Sequence, residues 1–282
     1  MKICISAEST IDMPKSLLDE FDIKTVPFSI LLGSDLKLDG VVDSTEIFEY
    51  VDRTGVLPKT SAVNEFQFEE HFTELLKTYD EVIHFSLSKE LSSAYENACR
   101  VAEKMPHVHV VDSRSLSTGI GLLAINAAKL AKAGKSVEEI LENTKKRIVN
   151  DQASFVLATV DYLYKGGRCS ALAMLGAQLF RIRPQILVVD GKMGPGKKYT
   201  GKQLDCVKNY CNDTLNQFNN PDLSIGFVTH SHATPDMVEA AKQAMLDRGF
   251  KRVEVTIAGG TISSHCGPRC LGILYINDGE QK

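Results

Sequence analysis

The sequence of 282 residues lacks any apolar run near the roughly 20 residues a spanning helix requires. Its best stretch, Phe155 to Leu163, is interrupted by Asp161, which reads as a soluble protein. A cationic excess is missing as well. Lys and Arg number 32 against 36 Asp and Glu, a net charge of −4, and this argues against a nucleic-acid partner, because neutralising phosphates needs a concentrated basic face. The start, Met1-Lys2-Ile3-Cys4-Ile5-Ser6, runs directly into a strand-like pattern without the features of an export signal, so a cytoplasmic location is expected. Low-complexity tracts and fixed-period repeats are absent. The seven cysteines (4, 99, 169, 206, 211, 266 and 270) form an odd set. Only Cys206/Cys211 and Cys266/Cys270 lie close, neither with the two-residue gap of a zinc knuckle. Unbridged thiols in a reducing compartment are the better account.

The length suits two modest domains at roughly 150 residues each. Short apolar segments alternate with helical patterns in the βαβ rhythm of an α/β protein. Strands are predicted at 2–6, 24–32, 81–86, 107–111, 154–158, 185–189, 223–229, 252–257 and 272–276, with helices between them, among them 66–77, 92–103, 121–132 and 137–149. The last of these opens at Ser136 with Glu139 three positions on, a capping-box signature. A boundary is expected at Asn150-Asp151-Gln152, dividing residues 1–150 from 151–282. Residues 191–201, rich in Gly and Lys, read as an exposed hairpin or loop. Residues 171–180, with Leu172, Met174, Leu175, Leu179 and Phe180, are apolar nearly all round, so protein, a partner or a ligand must cover them.

Several strands end in turns rich in hydroxyl groups: Thr60-Ser61, Ser86-Leu87-Ser88 through Ser92-Ser93, Asp112-Ser113-Arg114-Ser115, Thr229-His230-Ser231-His232, and Ser263-Ser264-His265. At the carboxyl edge of an α/β sheet, hydroxyls beside helix amino termini suit an anion. Taken singly, each is more simply a helix cap. No Gly-x-Ser-x-Gly elbow or Walker loop is present, and Gly259-Gly260 lacks dinucleotide spacing. His230 and His232 would share one face of a strand, yet no third metal ligand stands at fixed spacing. His265 and Cys266 would point to opposite faces of an extended backbone, which disfavours a dyad. Asp112 is a general base, a ligand acceptor or, most simply, a cap. In YLYKGGRCS the glycines suggest a tight turn, and Arg168 either contacts an anion or forms a surface ion pair.

The segments AESTIDMP, LPKTSAVNEF, SLSKELSSAYENA, VVDSRSLSTGIGLLA, LYKGGRCS and SSHCGPRCLG run from residue 6 to residue 272 in an order that resembles the DegV family of bacterial fatty-acid-binding proteins. The resemblance implies two α/β domains, an N-terminal one with a mostly parallel sheet and a C-terminal one with a mixed sheet, holding a long-chain fatty acid between them. It further implies a non-enzymatic binding subunit with no cofactor. A separate ATP-binding subunit of fatty acid kinase would phosphorylate the carboxylate to an acyl phosphate for phospholipid synthesis, with transient contact at a membrane surface. Carried over by motif, the carboxylate site falls on Thr60, Ser61, Ser92, Ser93 and His265. The sequence departs from the family pattern at Glu8-Ser9-Thr10, where Asp-Ser-Thr is usual, at Ser93-Ala94, at Cys266, and at Thr200 and Lys202, where arginines are common. Phe28, Ile30, Phe85, Leu172, Leu175 and Leu271 are candidate tunnel walls, with plain core packing as the alternative. Lys165, Arg168 and Lys202 are candidates for a partner's docking face.

A sixteen-carbon tail would bury about fourteen methylenes at ~0.8 kcal/mol each, roughly 11 kcal/mol before ordering costs. Each hydrogen bond to the charged head returns about 1.5–3 kcal/mol. The tail would therefore supply most of the affinity and the hydroxyls the orientation. Two competing readings are a phosphoryl- or acyl-transfer enzyme acting at the same hydroxyl-rich edge and a lipid sensor that works without a kinase.

Overall fold

In the computed structural model, which describes residues 1–171 and 182–279, strands and helices alternate through the first half. Its elements are β1 (Ile3–Glu8), α1 (Lys15–Phe21), β2 (Ile23–Val26), β3 (Ser29–Leu32), β4 (Asp35–Leu38), α2 (Ser44–Thr54), β5 (Lys59–Ser61), α3 (Glu65–Leu75), β6 (Glu81–Ser86), α4 (Ala94–Ala102), β7 (Val108–Asp112), α5 (Thr118–Lys132) and α6 (Val137–Ile148). The second half contributes β8 (Asp151–Val156), α7 (Asp161–Lys165), β9 (Arg183–Val189), β10 (Lys192–Tyr199), α8 (Gln203–Gln217), β11 (Gly226–Ser231), α9 (Pro235–Arg248), β12 (Val253–Ile257), α10 (Gly260–Cys266) and β13 (Cys270–Ile276). The apolar segment with Leu172 and Leu175 lies outside the described residues.

Strands β2-β1-β6-β7 form a wholly parallel sheet. The second to sixth residues of β1 and of β6 are all buried, as both-face coverage by helices demands. Strands β10-β9-β8-β13-β11-β12 form a mixed sheet in which only β11 and β12 run parallel. Both sheets have the character that the resemblance implied. A third, antiparallel sheet, β4-β3-β5, was not expected. It arises because residues 24–32 are two strands rather than one. Pro27 has no N–H to give a ladder, so β2 stays in the parallel sheet while β3 begins the small one.

Local chemistry explains several boundaries. The capping box at α6 is formed in both directions, Glu139 N donating to Ser136 Oγ at 3.2 Å and Ser136 N to Glu139 Oε2 at 2.8 Å. Residues 191–201 supply one arm of a hairpin whose two-residue turn, Asp190-Gly191, has φ of 52° and 81°. Left-handed backbone at both positions matches the twist of the flanking strands and favours Asp-Gly. α6 ends at Ile148 and β8 begins at Asp151, on either side of the expected boundary. The largest apolar cluster nevertheless draws on both main sheets, uniting Ile5, Phe85 and Leu123 with Phe155, Ile186 and Leu274. The far face of the mixed sheet packs on α8 and α9 through Tyr210, Met245, Leu271 and Tyr275.

Candidate functional site

Parallel strands β1, β6 and β7 end on one edge, and the segments leaving it, residues 9–12, 87–93 and 113–117, are where α/β sheets place ligands. Helix α10 is brought to this edge by the carboxyl groups of two aspartates. Gly259 N donates to Asp12 Oδ1 and Gly260 N to Asp39 Oδ1, both at 2.8 Å. Glycine at 260 lets the backbone come close, since a Cβ there would stand 2.5 Å from Ile30 Cδ1 and push that side chain aside. Asp12 also accepts from Ser117 Oγ at 2.5 Å, and burial raises its pKa to about 8.

Docked in this way, α10 faces β5, and His265 Nε2 meets Thr60 Oγ1 at 2.9 Å. Together with Ser92, Ser93, Arg168 and Thr261 they line a compartment of about 200 Å³. Two polar atoms here, His265 Nδ1 and Thr261 Oγ1, are buried without a hydrogen-bond partner. The Gly-Gly turn after α7 roofs the imidazole, and a Cβ on Gly166 would press to 2.7 Å from Nδ1. Burial, with the nearby Arg168 charge, lowers the His265 pKa to about 4. The imidazole is therefore neutral at pH 7 and acts by hydrogen bonding. The cation is Arg168, exposed and donating from Nη1 to Gly166 O at 2.8 Å. Hydroxyls, one neutral imidazole and one guanidinium make a surface suited to a carboxylate.

A second compartment, of about 60 Å³, adjoins the first and is lined by apolar side chains including Phe155, Leu163, Met193, Ile262 and Leu274. The Thr229 and Ser231 hydroxyls are engaged elsewhere: Thr229 Oγ1 meets Thr118 Oγ1 at 2.6 Å, and Ser231 Oγ donates to Gly267 O; Ser154 turns its hydroxyl to the other face of the sheet, where it meets the Tyr210 hydroxyl at 2.9 Å. Successive side chains of β13 alternate. Cys270, Gly272 and Leu274 face this compartment, while Leu271, Ile273 and Tyr275 face α8 and α9.

Of the five residues carried over for the carboxylate site, Thr60, Ser92, Ser93 and His265 come together; Ser61, next to Thr60 on β5, is exposed and lines neither compartment. Phe28, Ile30, Phe85 and Leu271 are buried in the cores and line neither compartment. Lys165 and Lys202 are exposed and line neither compartment, whereas Arg168 belongs to the polar compartment. Ser263 and Ser264 turn back to Ala258 O and Gly260 O in local helix bonds, and Asp112 accepts from Arg114 N at 3.0 Å and from Lys89 N at 3.4 Å, tying the end of β7 to the segment 87–93. His265 and Cys266 lie on a helix, not on extended backbone, and still diverge: Cys266 Sγ contacts Ser231 Oγ at 3.6 Å. His230 and His232 do not share a strand face, because β11 ends at Ser231 and His232 turns to φ 51°, stacking edge-on against Phe48. None of the seven cysteines is in a disulfide. Sequence reading missed Thr261, Leu116, Met193 and Ile262; only Thr261 had a signal, one helical turn before His265, had 260–266 been read as helix.

Fold and site together define the class: an α/β protein of two main sheets, with a polar compartment at the parallel sheet's carboxyl edge abutting an apolar one. A family model described as "Uncharacterised protein, DegV family" matches residues 2–278, and the chain belongs to the DegV family. It is 29% identical to a DegV domain-containing protein of Caldanaerobacter subterraneus subsp. tengcongensis, over 97% of this chain and 98% of that one. It is 28% identical to a protein of Thermotoga maritima named "Fatty acid-binding protein", covering 96% of each. Among solved structures, one titled "Fatty Acid Binding of a DegV family Protein from Thermus thermophilus" superposes with a TM-score of 0.91 at 25% identity, over 98% of this chain and 99% of that one.

Proposed function

We propose that this protein binds a long-chain fatty acid between residues 1–150 and 151–282 and presents its carboxylate to a separate ATP-dependent fatty acid kinase. The observation that carries the reading is the adjacency of the two compartments. Unpaired polar atoms of His265 and Thr261, with the hydroxyls of Thr60, Ser92 and Ser93, stand on one side, and an apolar wall begins immediately beyond. An alkyl carboxylate has that division of chemistry. The relatives named for fatty acid binding support it. In this reading the chain is a carrier in the cytoplasm and not itself an enzyme. Acyl-phosphate formation belongs to the partner and feeds phospholipid synthesis, with brief contact at a membrane surface. Among the described residues no helix is long and apolar enough to cross a membrane.

Extraction of the native protein with organic solvent, followed by mass spectrometry, should release a long-chain acid. Labelled ATP and oleate should then give acyl phosphate only when a fatty acid kinase ATP-binding subunit is added. Product without that subunit would make the chain an enzyme, and no extractable or bindable acid would overturn the carrier.

A further inference from the structure

Neither compartment, at about 200 and about 60 Å³, reaches the ~300 Å³ at which small-molecule pockets usually begin. Among the described residues, four line both: Leu116, Met193, Ile262 and His265. A chain with its head in the polar compartment and its tail in the apolar one has to pass between these side chains.

Their freedom to yield is unequal. His265 is tied to Thr60 and roofed by Gly166. Leu116 is buried in the loop braced by the Ser117 to Asp12 hydrogen bond, and Ile262 is β-branched on α10. Met193 is unbranched, with three rotatable bonds and only partly buried, so it can swing without disturbing backbone. Its backbone is fixed meanwhile. Ser88 Oγ donates to Gly191 O at 2.8 Å, Arg114 pairs with Asp190 at 3.2 Å and Lys192 with Glu90 at 3.5 Å, and Cys169 Sγ contacts Met193 O at 3.4 Å. The Ser88 and Glu90 contacts hold the hairpin against the same 87–93 segment that carries Ser92 and Ser93, while Arg114 and Cys169 tie it to the turn after β7 and to the segment after α7. A mobile side chain on an anchored strand is the construction of a gate.

We propose that Met193 is the gate between the head and tail compartments, whose swing limits the rate at which an acyl chain enters and leaves. This rests on the fatty-acid reading above. A gate alters entry and exit together, whereas a wall residue alters affinity. Two variants separate them. Met193→Ala removes the obstruction, and Met193→Ile replaces it with a side chain stiff at χ1. Labelled palmitate is loaded on the full-length protein, its release is timed after an excess of unlabelled palmitate, and its Kd is measured by equilibrium dialysis. Exchange should be about tenfold faster in the first variant and about tenfold slower in the second, with the association rate, given by the release rate over Kd, moving in the same direction as release. Exchange within twofold of the parent in both variants, or release rates that change only as Kd changes, would overturn the gate. Failure of the parent protein to bind palmitate at all would instead overturn the fatty-acid reading.

Discussion

Thr60 and His265, 205 residues apart, meet at 2.9 Å and join the small sheet to the helix at the parallel sheet's edge. The contact leaves the other ring nitrogen buried and unpaired. Thr60→Val keeps the shape of the side chain but orphans both nitrogens. Leaving a buried polar atom unsatisfied costs about 1–3 kcal/mol. Chemical denaturation should show a loss of that size, and palmitate affinity should fall by roughly tenfold or more, with one hydrogen bond to the head removed.

One residue of register separates wall from core on β13. Leu271→Ala should cost about 2–5 kcal/mol of stability, because Leu271 is fully buried against α8 and α9, while leaving acid affinity nearly unchanged. Gly272→Ala should do the reverse in emphasis. Its Cβ would meet Ser154 O at 2.6 Å and Phe155 Cβ at 3.1 Å, forcing apart β13 and β8 beside the apolar compartment. Overpacking of this kind costs about 1–3 kcal/mol. Thermal unfolding and equilibrium dialysis on both variants check the pair; equal losses of affinity would contradict the assigned faces.

The same register shows where sequence reading stops. The strands of the parallel sheet, the capping box at Ser136 and the hairpin at Asp190-Gly191 rest on local chemistry, and all three can be read from neighbours in the chain. Likewise Thr60, Ser92 and His265 were reachable because each sits in a motif. Leu271 was read as tunnel wall because an apolar strand residue looks alike from both faces; which face meets the compartment depends on how β13 pairs with β8 and β11. Met193 and Leu116 reach the site only through the docking of Asp190-Gly191 on Ser88 and of Ser117 on Asp12, contacts 103 and 105 residues apart in sequence. Pro27, by contrast, was a local signal that a long apolar run obscured.

Asp12 gives a pH signature of defined sign. Burial raises its pKa from 3.8 to about 8, so between those values the unfolded chain releases a proton that the folded chain keeps. Stability from this position is thus complete below pH 4 and declines as pH rises to about 8. His265 works oppositely, losing stability only as pH falls from 6.5 towards 4. Asp151, raised to about 7, adds to the Asp12 trend. Asp12→Asn keeps an acceptor for Gly259 N and turns an amide toward Ser117 Oγ. In thermal melts between pH 6.5 and 8, where His265 contributes little, the variant should lose part of the parent's downward slope; an unchanged slope would refute the assignment.

Exposed charge separates binding from docking. Arg168 lines the polar compartment, whereas Lys165 and Lys202 are exposed and line neither. Arg168→Ala should weaken palmitate binding several-fold. The double variant Lys165→Glu with Lys202→Glu should bind palmitate normally yet lower the rate of acyl-phosphate formation with added kinase, most strongly at low salt, since exposed charges act chiefly on encounter. A kinase rate insensitive both to the reversal and to salt would remove these lysines from the docking face.

Glu8 holds the segment that presents Ser92. Its side chain is fully buried and accepts from Ser86 Oγ at 2.6 Å, Leu87 N at 2.8 Å and His84 Nε2 at 3.2 Å, while His84 Nδ1 in turn meets Ser6 Oγ at 3.0 Å. Three donors converge on two carboxylate oxygens, so the acid position at the end of β1 serves the turn after β6. Glu8→Gln preserves volume but offers one acceptor and one amide; with its oxygen toward Ser86 and His84, the amide faces Leu87 N and that donor loses its partner, at about 1–3 kcal/mol. With Leu87 N released, residues 87–93 loosen at their root. Hydrogen exchange should then speed up across that segment while β7 stays protected, and palmitate affinity should fall with it. Faster exchange spread evenly over the whole parallel sheet would show that Glu8 stabilises the sheet alone and does not position the serine-bearing turn.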